Sequence, residues 1–113
     1  MLQKLEDFHR LFYDSIHKIP KRERYVLGIK IDNLIVEMLV SLYDRENTKD
    51  PQEKLVILKE FDRKLFMLKY FFRLLYSRKS ISERKYLLFE SKLIEIGKIL
   101  GGLIRKNAPQ KEA

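Results

Sequence analysis

The chain has 113 residues, 45% of them hydrophobic, which fits one domain with its own core and excludes a disordered chain. Lysine and arginine number 24 against 16 aspartates and glutamates, so the net charge of +8 favours polyanionic partners such as nucleic acid or an anionic membrane. The sequence has no cysteine, which excludes disulfides, thiolate metal sites and cysteine nucleophiles.

The beginning of the chain carries neither the basic segment nor the apolar segment of a signal peptide. No apolar run approaches the roughly 18 residues that indicate a transmembrane helix. We therefore expect a soluble, cytoplasmic protein that does not associate with a membrane.

Apolar residues recur at helical spacing along almost the whole chain, and the alternation typical of strands is nowhere sustained. The first predicted helix covers about residues 3–18. It ends before Pro20, a residue that suits the first position of the next helix because its missing N–H would be unpaired there anyway. The second predicted helix covers about residues 20–45.

The polar segment 44–50 is expected to form a surface loop. Asp50 stands directly before Pro51, and this order is typical of an N-cap residue followed by the first residue of a helix. The third predicted helix therefore runs over about residues 51–78.

Ser80 and Glu83 have the spacing of a capping box, in which the serine caps the helix and the glutamate reaches back. They predict a fourth helix over about residues 81–106, followed by a flexible tail over residues 107–113. Four helices with mostly short connections favour an all-α, up-down-up-down antiparallel four-helix bundle formed by residues 1–106.

Two of the helices carry more apolar residues than one bundle core requires. Fifteen of the 22 residues from Leu55 to Tyr76 are apolar, although a bundle helix needs only about three in seven. The stripes predicted to form the core are Leu5, Phe8, Phe12, Ser15, Ile16 and Ile19 in the first helix, Leu27, Ile31, Leu34, Ile35, Met38 and Leu42 in the second, Leu58, Phe61, Leu65, Leu68, Phe72 and Leu75 in the third, and Tyr86, Phe89, Leu93, Ile96, Leu100 and Leu103 in the fourth. The apolar residues outside these core stripes are Val26, Val36, Val40, Tyr43, Val56, Met67, Tyr70, Phe71 and Leu74. Soluble proteins tolerate scattered exposed hydrophobics, but this concentration predicts self-association through the second and third helices.

Gly97 and Gly101 lie one turn apart in the fourth helix, and Gly102 follows. Each glycine costs about 1 kcal/mol relative to alanine inside a helix. They could simply mark the helix end. Because the helical pattern continues through Leu103 and Ile104, we instead expect a strip without side chains that another helix approaches closely.

Positive charge collects around two of the three turns. In an up-down-up-down bundle, the turn between helices 1 and 2 and the turn between helices 3 and 4 lie at the same end. Nine basic residues flank these turns and are candidate nucleic-acid contacts: Lys18, Lys21, Arg22, Arg24, Arg73, Arg78, Lys79, Arg84 and Lys85. Only Glu23 and Glu83 oppose them, so this end attracts phosphate backbones unless the charges only solvate the turns.

Three tyrosines near this end, Tyr25, Tyr76 and Tyr86, are either stacking platforms for bases or, more commonly, residues at the edge of the core. His9 and His17 lie about two turns apart without the Glu-x-x-His motif of di-iron bundles, so no metal site is expected. No nucleophile motif or phosphate-binding loop occurs. We expect no enzyme activity, no cofactor and no small-molecule substrate.

Three stretches resemble a known family. Residues 19–28, with Ile-Pro-Lys followed by Arg-Tyr-Val-Leu-Gly, look like the Phe-Pro-Lys…Arg-Tyr-x-Leu-Gly opening of helix 2 in the bacterial four helix bundle proteins. Residues 96–105 are similar to the Ile-Gly-Arg-x-Leu-Gly-Gly-Trp ending of one branch, the accessory variability determinant (Avd) proteins of diversity-generating retroelements. The leucine- and aromatic-rich residues 65–74 resemble helix 3 of the same branch. The resemblance covers about residues 8–106.

The resemblance implies a homopentameric barrel of bundles that binds a retroelement reverse transcriptase and template RNA or cDNA in support of mutagenic retrohoming. Arg24 and Gly28 match the helix 2 motif, and the three glycines of the fourth helix match the second motif. Leu103 stands where many relatives have tryptophan. The apolar excess and the glycine spacing together predict the packing residues, which are Val36, Val40, Tyr43, Met67, Tyr70, Phe71, Leu74, Gly97 and Gly101.

The sister branch, proteins encoded in intervening sequences of 23S rRNA genes, is an alternative. Its helix 2 motif continues through an Arg-Arg-Ala-x-x-Ser-x-Pro-x-Asn-like stretch that residues 32–37 lack, which favours the Avd branch. A scaffold that binds only protein is a further alternative. A basic membrane-surface protein fits less well, because the second and third helices are apolar on several faces.

Overall fold

The computed structural model describes residues 1–107, and these residues form helices and no strand. Helix α1 is Leu2–Ser15 and continues as a 3₁₀ turn, Ile16–Lys18. Helix α2 covers residues 21–46, helix α3 is Pro51–Ser77 and helix α4 is Glu83–Asn107. The chain is thus all-α, and its four helices fit a four-helix bundle. Of the predicted tail, Asn107 ends α4, and residues 108–113 lie outside the described residues.

Helix α2 contains a stretch of π-helix that the sequence analysis did not predict. The chain is α-helical over Lys21–Glu23 and Ile29–Glu46, and the intervening Arg24–Gly28 is π-helical. Gly28 is buried against the end of α1, where an added Cβ would lie 3.3 Å from Cδ1 of Ile16. The missing side chain therefore lets the 3₁₀ turn and α2 pack together.

The start of α3 confirms the predicted cap. The Asp50 carboxylate accepts a hydrogen bond of 3.0 Å from the backbone N–H of Gln52, and Pro51 is the first helical residue. The cap satisfies one of the amides that the first helical turn leaves unpaired.

The predicted capping box at the start of α4 is wrong. The cap is Ser82, whose Oγ accepts a 3.1 Å hydrogen bond from the backbone N–H of Lys85. Ser80 instead ends α3: its N–H donates to Leu75, and the N–H of Lys79 donates to Tyr76. These paired bonds, with Lys79 at a φ of 60°, form a Schellman motif. The backbone of Ser80 is therefore not available to begin a helix.

The four helices enclose a core built around four phenylalanine rings. Phe8 and Phe12 of α1 meet Phe72 of α3 and Phe89 of α4, with ring centroids 4.5 to 6.3 Å apart and mostly edge-to-face. The predicted core stripes on α2 and α3 are buried throughout. Three residues assigned to the core, Ile16, Tyr86 and Leu103, are only partly buried at its edge.

Polar contacts between the helices show which of them are neighbours. Nζ of Lys4 on α1 lies 2.6 Å from Oε1 of Glu95 on α4, and Nε2 of His9 lies 2.8 Å from Oδ1 of Asp32 on α2. A longer pair joins Lys64 of α3 to Glu37 of α2. Helix α1 thus contacts both α2 and α4, while α3 lies against α2 and α4.

Among the described residues, no backbone of another helix lies against the glycines of α4. A Cβ at Gly97 would lie 3.6 Å from Cδ2 of Leu65, an ordinary van der Waals distance. At Gly101 it would meet only Arg105 of the same helix among the described residues. Helix α4 nevertheless continues to Asn107, so the glycines do not mark its end. The predicted close approach stays a prediction for contacts between chains.

Candidate nucleic-acid interface

The turn between α1 and α2 lies beside the turn between α3 and α4. A hydrogen bond and a shared cavity show that the two turns are neighbours. Nε of Arg78, at the end of α3, donates a 2.7 Å hydrogen bond to Oε1 of Glu23, at the start of α2. A cavity of about 150 Å³ lies between Ser15, Lys18 and Ile19 on one side and residues 80–82 with Lys85 on the other. We call the surface around these two turns the basic end and this cavity the serine pocket.

Most of the predicted phosphate contacts are exposed at the basic end. Lys85 and Arg24 are partly buried. The exposed residues are Lys18, Lys21, Arg22, Arg73, Arg78, Lys79 and Arg84. The structure thus brings the predicted cluster to one region of the molecule, where the summed positive charge raises the local potential.

Arg24 stabilises the connection between α1 and α2. Its Nη2 donates hydrogen bonds of 2.8 Å to the carbonyl of His17 and 3.1 Å to the carbonyl of Ile19. These carbonyls belong to the segment that leaves α1, so the guanidinium ties that segment to the π-helical start of α2. Because Nη2 is bonded to these carbonyls and the residue is partly buried, Arg24 contributes less to a phosphate surface than its charge indicates.

Arg78 is also committed within the fold. Its partner Glu23 has only 12% of its side chain exposed, whereas the Arg78 side chain is 48% exposed. The sequence analysis treated Glu23 only as an opposing charge and missed this pair. The partners are 55 positions apart, and no local sequence signal links them.

Two of the three tyrosines at this end stack on each other. The rings of Tyr76 on α3 and Tyr86 on α4 have centroids 4.6 Å apart and are 5° from parallel. Burial raises the pKa of Tyr86 above its ordinary value, and the nearby Glu90 carboxylate adds to the rise. One face of each ring is therefore occupied, whereas Tyr25 is 61% exposed.

Beyond the basic end, α2 and α3 expose apolar side chains, as expected from their composition. Of the predicted excess, Phe71 and Leu74 pack against the core instead. The exposed members are Val26, Val36, Val40, Tyr43, Val56, Met67 and Tyr70. Phe66, which is 72% exposed on α3, was not predicted, because it was assigned neither to the core stripe nor to the excess.

Within residues 1–107, no group of three or more histidine, aspartate or glutamate side chains is placed to hold a metal ion. His9 is hydrogen-bonded to Asp32, and His17 is exposed at the end of α1. None of the helices described here has the length and apolar character needed to cross a membrane.

Comparison with known proteins gives one match. A family model described as bAvd-like matches residues 1–107, which is nearly the whole chain. No curated protein and no solved structure matches the chain. The match covers all four helices and both turns of the basic end.

Proposed function

The chain belongs to the bAvd-like family, and from this membership we propose that it is a non-catalytic accessory protein of a diversity-generating retroelement. In this role it binds template RNA or cDNA together with the retroelement's reverse transcriptase and supports mutagenic retrohoming. The observation that carries the nucleic-acid part is the convergence of two basic turns at one end of the bundle.

The proposed architecture is an up-down-up-down bundle assembled as a homopentameric ring. The contact between Glu23 and Arg78 supports the first part, because it joins the start of α2 to the end of α3. The exposed apolar side chains of α2 and α3 support the second, because association would remove them from water. A ring would place five basic ends side by side, so one long nucleic acid would contact several subunits.

Such binding is largely independent of sequence. Side chains on turns reach phosphates, and phosphate contacts carry no sequence information directly. Each neutralised phosphate releases counterions, so affinity falls steeply as salt rises. Affinity also rises with nucleic-acid length, because additional subunits bind at a raised effective concentration.

The test compares two triple variants that remove equal charge. Replacing Arg22, Lys79 and Arg84 with glutamine removes exposed basic-end charges and spares Arg24 and Arg78, which hold the fold. Lys49, Lys59 and Arg63, exposed on or after the turn between α2 and α3, provide the control. Fluorescence anisotropy of labelled RNA and DNA is measured across a salt series.

We expect the basic-end variant to lose most of its affinity and to lower the slope of log affinity against log salt by up to about 3. The control variant should change the affinity and the salt slope much less. Equal losses from the two variants, or no binding by the parent protein at low salt, would contradict nucleic-acid binding by the basic end.

A second candidate, a scaffold that binds only protein, is favoured by the exposed apolar residues Val40, Phe66 and Tyr70. Co-purification with the reverse transcriptase after nuclease treatment separates the two. A complex that survives nuclease, together with a parent protein that binds no RNA or DNA, would favour the scaffold.

A further inference from the structure

The serine pocket contains a polar group that the fold does not satisfy. Ser80 is only 7% exposed, and its Oγ has no hydrogen-bond partner within residues 1–107. The other two serines of the cavity wall are paired: Ser15 donates to the carbonyl of Leu11, and Ser82 accepts from the amide of Lys85. A buried hydroxyl without a partner is costly, so a native structure that keeps one calls for an explanation.

The Schellman motif at the end of α3 explains how Ser80 reaches this place but not why it is a serine. The motif uses only the backbone N–H of Ser80 and needs no hydroxyl. Helix α4 is capped by Ser82, so the Ser80 hydroxyl has no capping task either. What remains is a buried, unpaired hydroxyl on a residue that lines the cavity.

The surroundings of the cavity favour an anion. Lys18 and Lys85 line it from opposite sides, and none of the described residues that line it is acidic. The cavity lies at the N-terminus of α4, a helix of 25 residues. The amides of Glu83 and Arg84 precede the first capped amide, that of Lys85, and the helix dipole places partial positive charge there. Glu83 is exposed and does not line the cavity.

The size of the cavity restricts the ligand. Its volume of about 150 Å³ is well below the roughly 300–1,000 Å³ of sites that enclose a small organic molecule. It therefore suits a compact oxyanion with several acceptor oxygens and not a whole nucleotide.

We propose that the serine pocket binds one phosphate group of the nucleic acid, an inference that rests on the proposed function. After rotation of the Ser80 side chain, its hydroxyl donates to one phosphate oxygen, and Lys18 and Lys85 neutralise the charge of the phosphate. The pocket would fix the position of one phosphate, whereas the exposed lysines and arginines of the basic end attract the backbone without fixing it. The phosphate is either an internal diester or a terminal monoester, and both present the same non-bridging oxygens.

The first experiment uses inorganic phosphate alone. Adding it to the ¹⁵N-labelled protein should shift the amide resonances of Ser82, Glu83 and Arg84 more than sodium chloride of equal ionic strength. Replacing Lys18 and Lys85 together with glutamine should abolish the difference. Equal responses to phosphate and chloride would overturn the proposal.

The second experiment compares Ser80→Ala with Ser77→Ala. Ser77 is at the same end of the molecule, but it is exposed and its hydroxyl donates to Leu74. Ser80→Ala should lower nucleic-acid affinity roughly 2- to 10-fold while leaving the melting temperature of the free protein unchanged or raised, because the lost hydroxyl had no partner. Ser77→Ala should leave affinity unchanged. A lower melting temperature with unchanged affinity for Ser80→Ala would assign the serine to the fold and overturn the proposal.

Oligonucleotides with a 5′-phosphate and with a 5′-hydroxyl distinguish the two sources. An effect of Ser80→Ala on both indicates an internal diester, and an effect on the first alone indicates a terminal monoester. The failures of the two proposals are distinguishable. Salt-dependent binding that Ser80→Ala leaves intact overturns only the pocket. Amide shifts with phosphate but no nucleic-acid binding at low salt keep the pocket as a phosphate site and overturn both the proposed function and the assignment of that phosphate to nucleic acid.

Discussion

At the scale of single residues, burial decides which charged pairs matter for stability. Arg78 and Arg63 each face a glutamate, but Glu23 is nearly buried while Glu60 is half exposed. When an arginine is removed, a buried carboxylate loses its partner and cannot recover full hydration, whereas an exposed one turns to water.

Arg78→Met should therefore lower the free energy of unfolding by roughly 1–3 kcal/mol, since it leaves the Glu23 carboxylate unpaired. Arg63→Met should cost less than about 0.5 kcal/mol. Urea denaturation of both variants at neutral pH measures the difference. Equal losses would show that the Glu23 pair is no stronger than an ordinary surface pair.

The position of the α4 cap shows what local sequence patterns miss. Ser80 and Glu83 satisfy the capping-box spacing, whereas the only sequence signal for a cap at Ser82 is its hydroxyl group. The end of α3 determines which serine caps α4, because Lys79 adopts a positive φ there that is usually taken by glycine. Without a glycine at that position, the sequence carries no signal for the motif that displaces the cap.

At the scale of helices, regular periodicity makes the core predictable and local irregularity does not. The stripes of α2 and α3 repeat at helical spacing, and every residue assigned to them is buried. The π-helical stretch Arg24–Gly28 has no sequence pattern that distinguishes it from an α-helix. It depends on what α2 meets at its start, namely Ile16 and the carbonyls that Arg24 binds.

Two glycines in different surroundings should respond to alanine with opposite signs. Gly28→Ala should lower the melting temperature, because the new Cβ forces the Ile16 side chain to move. Gly101→Ala should raise the free energy of unfolding of the single chain by about 0.5–1 kcal/mol, because it adds helix propensity where, among the described residues, the new Cβ would contact only Arg105 of the same helix.

Thermal denaturation of both variants, with mass measured alongside, tests this pair. Gly101→Leu extends it, since a large side chain would cost roughly 1–3 kcal/mol only if another chain covers the strip. If Gly101→Ala is destabilised and also dissociates, another chain covers the glycine strip of α4, and Gly101 lies in a contact between chains.

At the scale of the molecule, the sequence predicted where charge gathers but not which charges are free. Counting residues around two turns was enough to locate the basic end once four helices were assigned. It could not separate Arg24 and Arg78, which are bound within the fold, from Arg22 and Arg84, which are exposed. That distinction depends on contacts between segments far apart in the chain.

The proposed assembly gives the remaining prediction. Light scattering at micromolar concentration should report about five times the chain mass of 13.7 kDa. Val40→Glu should reduce that mass, because it places a charge on the exposed apolar face of α2, where one chain alone would tolerate it. Gln3→Glu, on the exposed surface of α1, adds the same charge as a control.

A parent protein that stays monomeric across this range would contradict the ring. If Val40→Glu and Gln3→Glu both kept the full mass, the apolar face around Val40 would lie outside the subunit contact.

The stacked tyrosines give the molecule a built-in optical label. The chain has no tryptophan, so six tyrosines dominate its near-ultraviolet spectrum. Tyr76 and Tyr86 are parallel chromophores 4.6 Å apart on different helices, close enough for their electronic transitions to couple. Any circular dichroism that arises from this coupling depends on α3 and α4 holding the two rings in register. A ligand that alters the turn between these helices would change this signal, and no dye or engineered probe would be needed to see it.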